Sequence, residues 1–322
     1  VSTVHMRKTN DRVRAFCRLL HQNGSFSMCL YAIEWSPRRM TDYSQFLKKM
    51  PIIPDVATKI LSITEEKLDI SFKELENTIM LDAGLSTKIL KVANSALYAR
   101  QREVKSLQMA ITLLGYKTIK SLVLLITASN MFSAGKSGPF YQFFWRHSVI
   151  NAFLARDMAR KVGARSISDG CFLAGLLHDI GQVALQAAHP EEYKRVLDAT
   201  ATTRSRISDL EEEHLGANHR DVGAEVLRSW SFPDVYVDSA AEHGSANITS
   251  PHKQPILIVS VADFVTSNID LYTDQPLEFS LLRDVLRQTS LTEEDLVAYQ
   301  EGFMDELIDD PLFRECKSLF QV

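Results

Sequence analysis

Histidine and aspartate residues recur in this sequence at positions where the surrounding helical pattern calls for an apolar side chain. In chain order they are His147, His178, Asp179, His219, His243 and Asp263. Asp263, for example, interrupts an apolar run that extends from Ile256 to Val265. An ionised carboxylate inside such a helix is costly unless a cation or several hydrogen-bond donors accompany it. The pattern therefore predicts that these side chains gather around a shared site.

This set of residue types has the chemistry of a metal site. Neutral imidazoles and carboxylates together are good ligands for divalent iron, manganese or zinc. Two ions could share a bridging aspartate and activate a water between them, an arrangement suited to phosphoester hydrolysis. The sequence thus predicts one or two such ions, with Asp179 as the catalytic residue if the protein is active.

Each residue also has a purely structural interpretation. His147 could be a hydrogen-bonded core histidine, and His219 could lie at an exposed helix start. The His178-Asp179 pair could cap a helix end, and Asp263 could pair with an arginine. The occurrence of the whole set, in order on successive predicted helices, favours the shared site.

The elements that must position these residues are predicted to be helices, because apolar residues recur three or four apart along most of the chain. Predicted helices carry or flank the candidates at about residues 140–162, 168–177, 183–188, 220–230, 235–242 and 255–268. In the first of them, Phe143 and His147 fall on one apolar face. Ser71 and Glu74 predict a capping box, and Gly115 predicts the end of a helix at 107–114. A further helix is predicted at 277–288, and the fold class is all-α.

Composition excludes several classes of protein. The 322 residues carry a net charge of −4, without the basic excess that predicts nucleic-acid binding. No apolar run reaches the roughly 18 residues of a membrane span, and residues 1–10 lack the apolar core of a signal peptide, although Met6 could be the true start. The four cysteines lie far apart and are interpreted as reduced thiols of a cytoplasmic protein.

The order of His147, His178-Asp179 and Asp263 resembles the H…HD…D signature of the HD superfamily of metal-dependent phosphohydrolases. A narrower resemblance, to the HDOD family, covers about residues 41–267. It rests on PIIP at 51–54, DAGLS at 82–86, VANS at 92–95, AITLLG at 110–115, FWRHS at 144–148, GLLHDIG at 175–181, EEE at 211–213, HRDVG at 219–223 and WSFP at 230–233.

Membership of that family implies an HD-like helical bundle with an additional N-terminal helical subdomain. The Gly/Ser/Pro loop at residues 135–139 would separate the two. The expected divisions are an extension at 1–40, the N-terminal half at 41–134, the HD-like half at 135–270 and C-terminal helices at 271–322. The family further implies a bacterial signal-transduction module, usually without demonstrated catalysis, that binds a signalling protein partner.

The six candidate residues match metal-binding positions of cyclic-dinucleotide phosphodiesterases of the HD-GYP type, but the sequence departs from that pattern. Glu242 stands where those enzymes have a histidine ligand, and is the candidate for an additional ligand. Gln182 replaces a lysine, and residues 245–251 contain no Gly-Tyr-Pro loop. Arg146 and Arg220 are the nearest candidates for phosphate contact.

Two functions are therefore predicted. The first is a regulatory scaffold with a retained metal site and a protein partner or a nucleotide ligand. The alternative is a metal-dependent phosphohydrolase acting on a nucleotide or cyclic dinucleotide. Homo-oligomers formed through the extension and the C-terminal helices are compatible with both functions.

Overall fold

The structure is a computed structural model, and it describes residues 43–48, 50, 54–62, 68–94, 103–133, 138–203, 206–270 and 282–320. Every regular element within these ranges is a helix, which confirms the predicted all-α class. The predicted extension, residues 1–40, lies outside the described residues.

The helices that precede the Gly/Ser/Pro loop form the N-terminal part of the described chain. They are α1 (Ser44–Leu47), α2 (Asp55–Ser62), α3 (Leu68–Met80), α4 (Ala83–Ala93), α5 (Leu107–Leu114) and α6 (Tyr116–Ser133). Asp82 begins α4 by accepting a hydrogen bond from the backbone N–H of Leu85 at 2.9 Å. Gly115 ends α5 as predicted, with a φ of 78° that glycine adopts without strain.

The remaining helices follow the Gly/Ser/Pro loop and form the central bundle and the C-terminal end of the described chain. They are α7 (Pro139–Lys161), α8 (Ser168–Leu177), α9 (Ile180–Ala188), α10 (Pro190–Thr202), α11 (Ile207–Leu215), α12 (His219–Ser229), α13 (Asp234–Glu242), α14 (Lys253–Asp270), α15 (Arg283–Leu286), α16 (Glu293–Asp309) and α17 (Pro311–Phe320). A 3-10 turn, Arg165–Ile167, leads into α8.

Two local predictions are wrong, and a third is tested only in part. The capping box at Ser71 does not form a helix start, because α3 already begins at Leu68 and both Ser71 and Glu74 lie inside it. Phe143 does not share the buried face of α7: it is 51% exposed, whereas its neighbour Phe144 is 2% exposed. The helix predicted at 277–288 is tested only from residue 282 onwards, where the structure has the single turn of α15, while residues 271–281 lie outside the described ranges.

The centre of the bundle is the packing of α7 against α8, with α14 packed on both. Ile150 and Leu154 of α7 and Leu176 of α8 are buried in it. At Gly175 the two helices approach so closely that a Cβ would lie 2.6 Å from the Asn151 Oδ1. Helix α6 packs on α8 and α17, so it joins the N-terminal helices to the bundle.

This central packing also explains a long apolar stretch of the described chain. Arg165–Ala188 has the length and composition of a weak candidate for a membrane span. However, 78% of its most apolar 18 residues are buried inside the bundle, where an apolar core helix has the same composition.

Helices α9 and α12 meet at two glycines, Gly181 and Gly223. A Cβ on Gly181 would overlap the carbonyl oxygen of His219 and lie 2.6 Å from the backbone nitrogen of Gly223. Because backbone atoms are fixed by their own helices, this contact leaves no room for a larger residue. His219 is the first residue of α12, and Gly181 follows closely after the His178-Asp179 pair. The contact therefore determines the distance between His219 and that pair.

We expect Gly181→Ala to lower the free energy of unfolding by about 3 kcal/mol, because overpacking against backbone forces a helix shift. Urea unfolding followed by circular dichroism would measure the change. Gly302→Ala in α16 is the matched control, since its Cβ would meet nothing within 4 Å. That variant should gain roughly 0.5–1 kcal/mol from the helix preference of alanine. Equal stabilities of the two variants would contradict the proposed close contact.

Candidate metal centre

Five segments of the bundle bring the predicted residues to one place. His147 lies in the middle of α7 and Asp263 in α14, while His178 and Asp179 form the break between α8 and α9. His219 is the first residue of α12, and His243 follows directly after α13. Four of the six residues thus lie at helix ends, where the chain turns and side chains can point along the bundle.

Asp179 lies at the centre of the cluster. Its Oδ1 is 3.4 Å from the Nε2 of His219 and 3.3 Å from the Nε2 of His243. Its Oδ2 is 3.5 Å from the Nε2 of His178 and 3.9 Å from the Nε2 of His147. Because each oxygen faces a different pair of imidazoles, this one carboxylate can bridge two groups of ligands.

Asp263 closes the other side of the cluster. Its Oδ1 lies 3.2 Å from the Nε2 of His147 and 3.7 Å from that of His178, and the hydroxyl of Ser267 approaches it at 3.4 Å. The ion pairs of the described residues include none between Asp263 and an arginine, so that structural alternative is not seen. The Asp263 side chain is 27% exposed, against 10% for Asp179, and it forms the solvent-facing edge of the cluster.

Three of the histidine rings are held through their Nδ1 atoms. The Nδ1 of His178 is 2.8 Å from the carbonyl oxygen of Gly175, and the Nδ1 of His243 is 2.9 Å from that of Ala240. Since a carbonyl oxygen only accepts, each Nδ1 carries the proton and donates it. The Nε2 lone pairs of these rings therefore point into the cluster, which is the orientation that a metal ligand requires.

The third ring is held by a buried carboxylate that the sequence reasoning missed. Glu211 is 0% exposed, and its Oε2 lies 2.6 Å from the Nδ1 of His219 and accepts the backbone N–H of His219 at 2.8 Å. The hydroxyl of Tyr193 donates to its Oε1 at 2.9 Å. A carboxylate behind a ligand histidine fixes the ring and raises its basicity. Its place in an acidic run, Glu211-Glu212-Glu213, gave no local signal of burial.

The imidazoles keep both central carboxylates ionised. Burial acts to raise the pKa of Asp179, but the charges of His178 and His219 hold it well below its ordinary value. Burial acts on Asp263 in the same direction, and the neighbouring imidazoles of His147 and His178 lower its pKa well below the usual range. The cluster therefore contains two negative charges in a poorly solvated place.

The two histidines next to Asp179 Oδ1 respond to this charge differently. Burial acts to lower the pKa of His219, but Glu211 and then Asp179 raise it to about 9. Burial lowers the pKa of His243, and the hydrogen bond with Asp179 only partly opposes this effect. The difference follows from the acceptors behind the rings: His219 has the carboxylate of Glu211, whereas His243 has backbone carbonyls.

The cluster fits a divalent cation. The Nε2 of His178 is buried and has no hydrogen-bond partner, although it faces two carboxylates. A lone pair opposite carboxylate oxygens is unfavourable unless a proton or a cation lies between them. The described residues include three groups whose ligand atoms lie within 4.8 Å of one another. They are His147, His178 and Asp179; His178, His243 and Asp263; and Asp179, His219 and His243. Histidine and carboxylate sets of this kind suit iron, manganese or zinc.

Other predicted site residues do not reach the cluster. Glu242 belongs to none of the three groups, because its carboxylate faces the next loop. There its Oε2 accepts the backbone N–H of Thr249 at 2.7 Å and its Oε1 accepts the hydroxyl of the same residue at 2.7 Å. The prediction of Glu242 as an additional ligand is therefore not supported, since both of its carboxylate oxygens accept hydrogen bonds from Thr249.

The role of Arg146 and Arg220 as phosphate contacts stays a prediction. Arg146 and Arg220 are both half-buried, and no ion pair of the described residues joins either of them to Asp179 or Asp263. The positive charge of Arg220 acts to lower the pKa of His219. Gln182 instead enters the site: its Nε2 donates to the Oδ2 of Asp179 at 2.6 Å. Half-exposed Phe143 stacks against the ring of His147, with centroids 6.4 Å apart.

Comparisons with known proteins agree with the helical architecture and the motifs. The sequence model of the HDOD domain matches residues 50–246. An uncharacterized protein of Treponema pallidum (strain Nichols) is 21% identical over 221 residues, which are 68% of this chain and 43% of that protein. The chain thus spans less than half the length of this relative.

Two crystal structures share the fold. One, from Shewanella amazonensis SB2B, is provisionally named a phosphohydrolase; it is 20% identical, with a TM-score of 0.66 over 86% of this chain and 97% of the other. The second, from Marinobacter aquaeolei VT8, is provisionally named a signal transduction protein. It is 19% identical, with a TM-score of 0.65 over 90% of this chain and 64% of the other. At these identities the likeness concerns the fold.

The pKa of His219 predicts a loss of stability at alkaline pH in protein kept metal-free with a chelator. The folded pKa of about 9 lies above the value of about 6.5 in the unfolded chain. The stabilisation is therefore complete below about pH 6.5 and is lost as the pH rises through 9, with a total on the order of 3 kcal/mol. Urea unfolding between pH 6 and 9.5 measures this loss.

Glu211→Gln is the matched control for this measurement. It keeps the size of the side chain and removes the charge that contributes most to raising the pKa of His219. The alkaline loss of stability should therefore become smaller and move to lower pH. An identical pH profile in the wild-type protein and the variant would show that Glu211 does not set this protonation.

Proposed function

This chain belongs to the HDOD domain family, and we propose that it is a bacterial regulatory module that holds divalent metal ions in its HD-like bundle and binds a signalling partner. The observation that carries the proposal is the convergence of four histidines on Asp179 and Asp263, with three of the histidine rings already anchored through Nδ1. Preorganised ligands of this kind lower the cost of ordering a metal site.

The roles of the residues follow from their distances. Asp179 would bridge, because its Oδ1 faces His219 and His243 while its Oδ2 faces His147 and His178. Glu211 would hold the proton on the Nδ1 of His219 so that Nε2 remains a ligand. A bound divalent cation would supply a Lewis acid that attracts an anionic ligand to the edge at Asp263.

Regulation is favoured over catalysis by the surroundings of the cluster. Gln182 uses its amide on Asp179, at a position where the resemblance to hydrolases predicts a lysine. A neutral amide cannot provide the charge-assisted contact that a phosphate would receive from lysine or arginine. Two hydrogen bonds hold the loop after His243 against α13. The backbone N–H of Thr249 donates to Glu242, and the hydroxyl of Ser250 donates to Asp238 at 2.6 Å. The solved relative named as a signal transduction protein has the same fold.

A metal-dependent phosphohydrolase acting on a nucleotide or cyclic dinucleotide is the second candidate. It is favoured by the completeness of the ligand set, since the described cluster includes every one of the six predicted histidine and aspartate ligands. The exposed edge at Asp263 would give a substrate access to it. The solved relative named as a phosphohydrolase also has this fold.

The first test is elemental analysis of protein purified without chelators. We expect one or two equivalents of iron, manganese or zinc per chain, and their loss in Asp179→Ala, because that variant removes the carboxylate that faces four imidazoles. Glu242→Gln is the matched control and should retain the metal, since its carboxylate is engaged by Thr249. A metal-free wild-type protein with an intact helical spectrum would reject the proposed metal site.

The second test separates regulation from hydrolysis. The metal-loaded protein is incubated with nucleotides, cyclic dinucleotides and a chromogenic phosphodiester, and products are resolved by chromatography. We expect no turnover above that of Asp179→Ala. Hydrolysis that disappears in this variant would establish the enzyme instead of the scaffold, and Gln182→Lys would then be expected to increase it by adding a phosphate contact.

A further inference from the structure

Helix α16 has one side packed on the bundle and the other open to solvent. On the packed side Leu296, Phe303 and Leu307 are buried, and the helix contacts α14. On the open side Val297 is 37% exposed and Ile308 is 52% exposed. These two residues are about three helical turns apart, so they lie in one line along a rise of roughly 16 Å. The open side of α16 therefore carries an exposed apolar stripe.

The same side of the helix is strongly acidic. The sequence of α16 contains seven acidic residues and no basic residue, whereas the whole chain carries a net charge of −4. Glu294, Glu301 and Asp305 are exposed, and each lies three or four residues from Val297 or Ile308. Residues at that spacing are neighbours on a helix surface. These five residues together are the outer face of α16.

Some acidic residues of α16 have a structural role. Residues 293–295 form the first turn, where negative charge interacts favourably with the helix dipole. Asp295 also pairs with Lys161 at 3.0 Å, and Asp309 pairs with Arg314 at 2.8 Å. Helix stability therefore accounts for the charges at the two ends of α16.

The charges between these ends oppose the stability of the helix. Glu301, Asp305 and Glu306 form no ion pair with any residue that the structure describes. Glu301 and Asp305 are four residues apart, and like charges at this spacing destabilise a helix. Glu306 begins the last turn, where the helix dipole disfavours a negative charge. Residues that act against local stability in this way are typical of functional surfaces.

The charge of the outer face determines which partners it fits. Nucleic acids and anionic membranes are themselves negatively charged and would be repelled. A second copy of this chain would bring an identical set of carboxylates to the contact, and like charges that face each other across an interface oppose binding. The complementary surface is a helix whose apolar stripe is flanked by lysine or arginine, since such helices bind through side chains at three- and four-residue spacing.

We propose that the outer face of α16 binds a basic amphipathic helix of a signalling protein. The apolar side chains of that helix would pack on Val297 and Ile308, and its basic side chains would pair with Glu301 and Asp305. This inference rests on the proposed function, because it specifies the partner of the regulatory module and where that partner binds. Helix α16 lies outside residues 50–246, which match the HDOD domain.

The packed side of α16 connects this surface to the metal cluster. Helix α14, which α16 contacts, carries Asp263. The hydroxyl of Tyr299 in α16 donates to Asp157 of α7 at 2.7 Å, and α7 carries His147. A partner on the outer face would thus bind to a helix that touches two of the helices holding the metal ligands.

Fluorescence anisotropy with the full chain and a labelled synthetic peptide tests the proposal. The probe has about 17 residues, the length of α16, with leucine at three- and four-residue spacing and lysine beside it. It should bind, and about 10-fold more weakly at high salt, because salt screens exposed charges. The same residues in a non-amphipathic order, or glutamate in place of lysine, should weaken binding about 10-fold or more. No binding of the probe, or equal binding of either control peptide, would overturn the proposal.

Variants of the full chain locate the binding surface. Asp305→Lys should weaken binding of the probe about 10-fold or more, because it replaces an attraction by a repulsion. The same change removes the repulsion from Glu301, so thermal unfolding should show no loss of stability. Glu74→Lys is the matched control: it changes the charge equally at an exposed position inside α3 and should bind as the wild-type protein does. Equal binding by the two variants would overturn the proposal.

Sedimentation velocity tests a second copy as the occupant. Ile308→Ser removes an apolar contact of the outer face, so it should weaken binding of the probe and leave the oligomeric state of the wild-type protein unchanged. An oligomer that dissociates in this variant would assign the outer face to a contact between copies and overturn the proposal.

The outcome can be separated from that of the metal centre. Asp179→Ala removes the proposed bridging ligand and lies outside α16, so the probe should still bind to this variant. Loss of binding in Asp179→Ala, with the helical spectrum unchanged, would show that the basic peptide binds at the metal cluster instead. A metal-free wild-type protein that binds the probe would reject the metal site alone, whereas a metal-loaded protein that does not bind it would reject this inference alone.

Discussion

The charge of Asp179, buried between four imidazoles, is the constraint on which the rest of the bundle depends. A carboxylate in such a place is tolerated only if every neighbour is oriented to compensate it. Two rings are held by the carbonyls of Gly175 and Ala240, and a third by Glu211. The close contact between Gly181 and the start of α12 brings His219 within reach. The helix ends are thus positioned by electrostatics as much as by the apolar core.

The candidate ligands could be predicted from sequence because each interrupts an apolar helical pattern, and that signal is local. His147 and Asp263 are clear examples, since both lie within helices whose buried residues are mostly apolar. The all-α class also follows from the periodicity of apolar residues. The same pattern predicts the observed bounds of α8, Ser168–Leu177. Phe143 was assigned to the wrong face because spacing alone does not distinguish the core from the edge of a site.

Residues that act through tertiary contacts could not be predicted in this way. Glu211 is buried only because α10 packs on α11 and places Tyr193 beside it. Glu242 was considered a ligand from its position next to His243, but the direction of its side chain depends on the loop that Thr249 occupies.

The spread of the cluster along the chain has a consequence for how the protein folds. Its ligands come from α7, the α8–α9 break, α12, the end of α13 and α14, so most pairs are distant in sequence. Because the contacting residues are far apart in sequence, this part of the bundle has a high contact order. Long loops must close, at a cost in entropy, before these contacts stabilise the fold. Helices such as α7 and α8, joined by a short connection, can pair early, whereas the cluster is complete only when α14 docks. A chain stalled before that step would expose unbalanced carboxylates and imidazoles, and it would be a natural target for proteolysis.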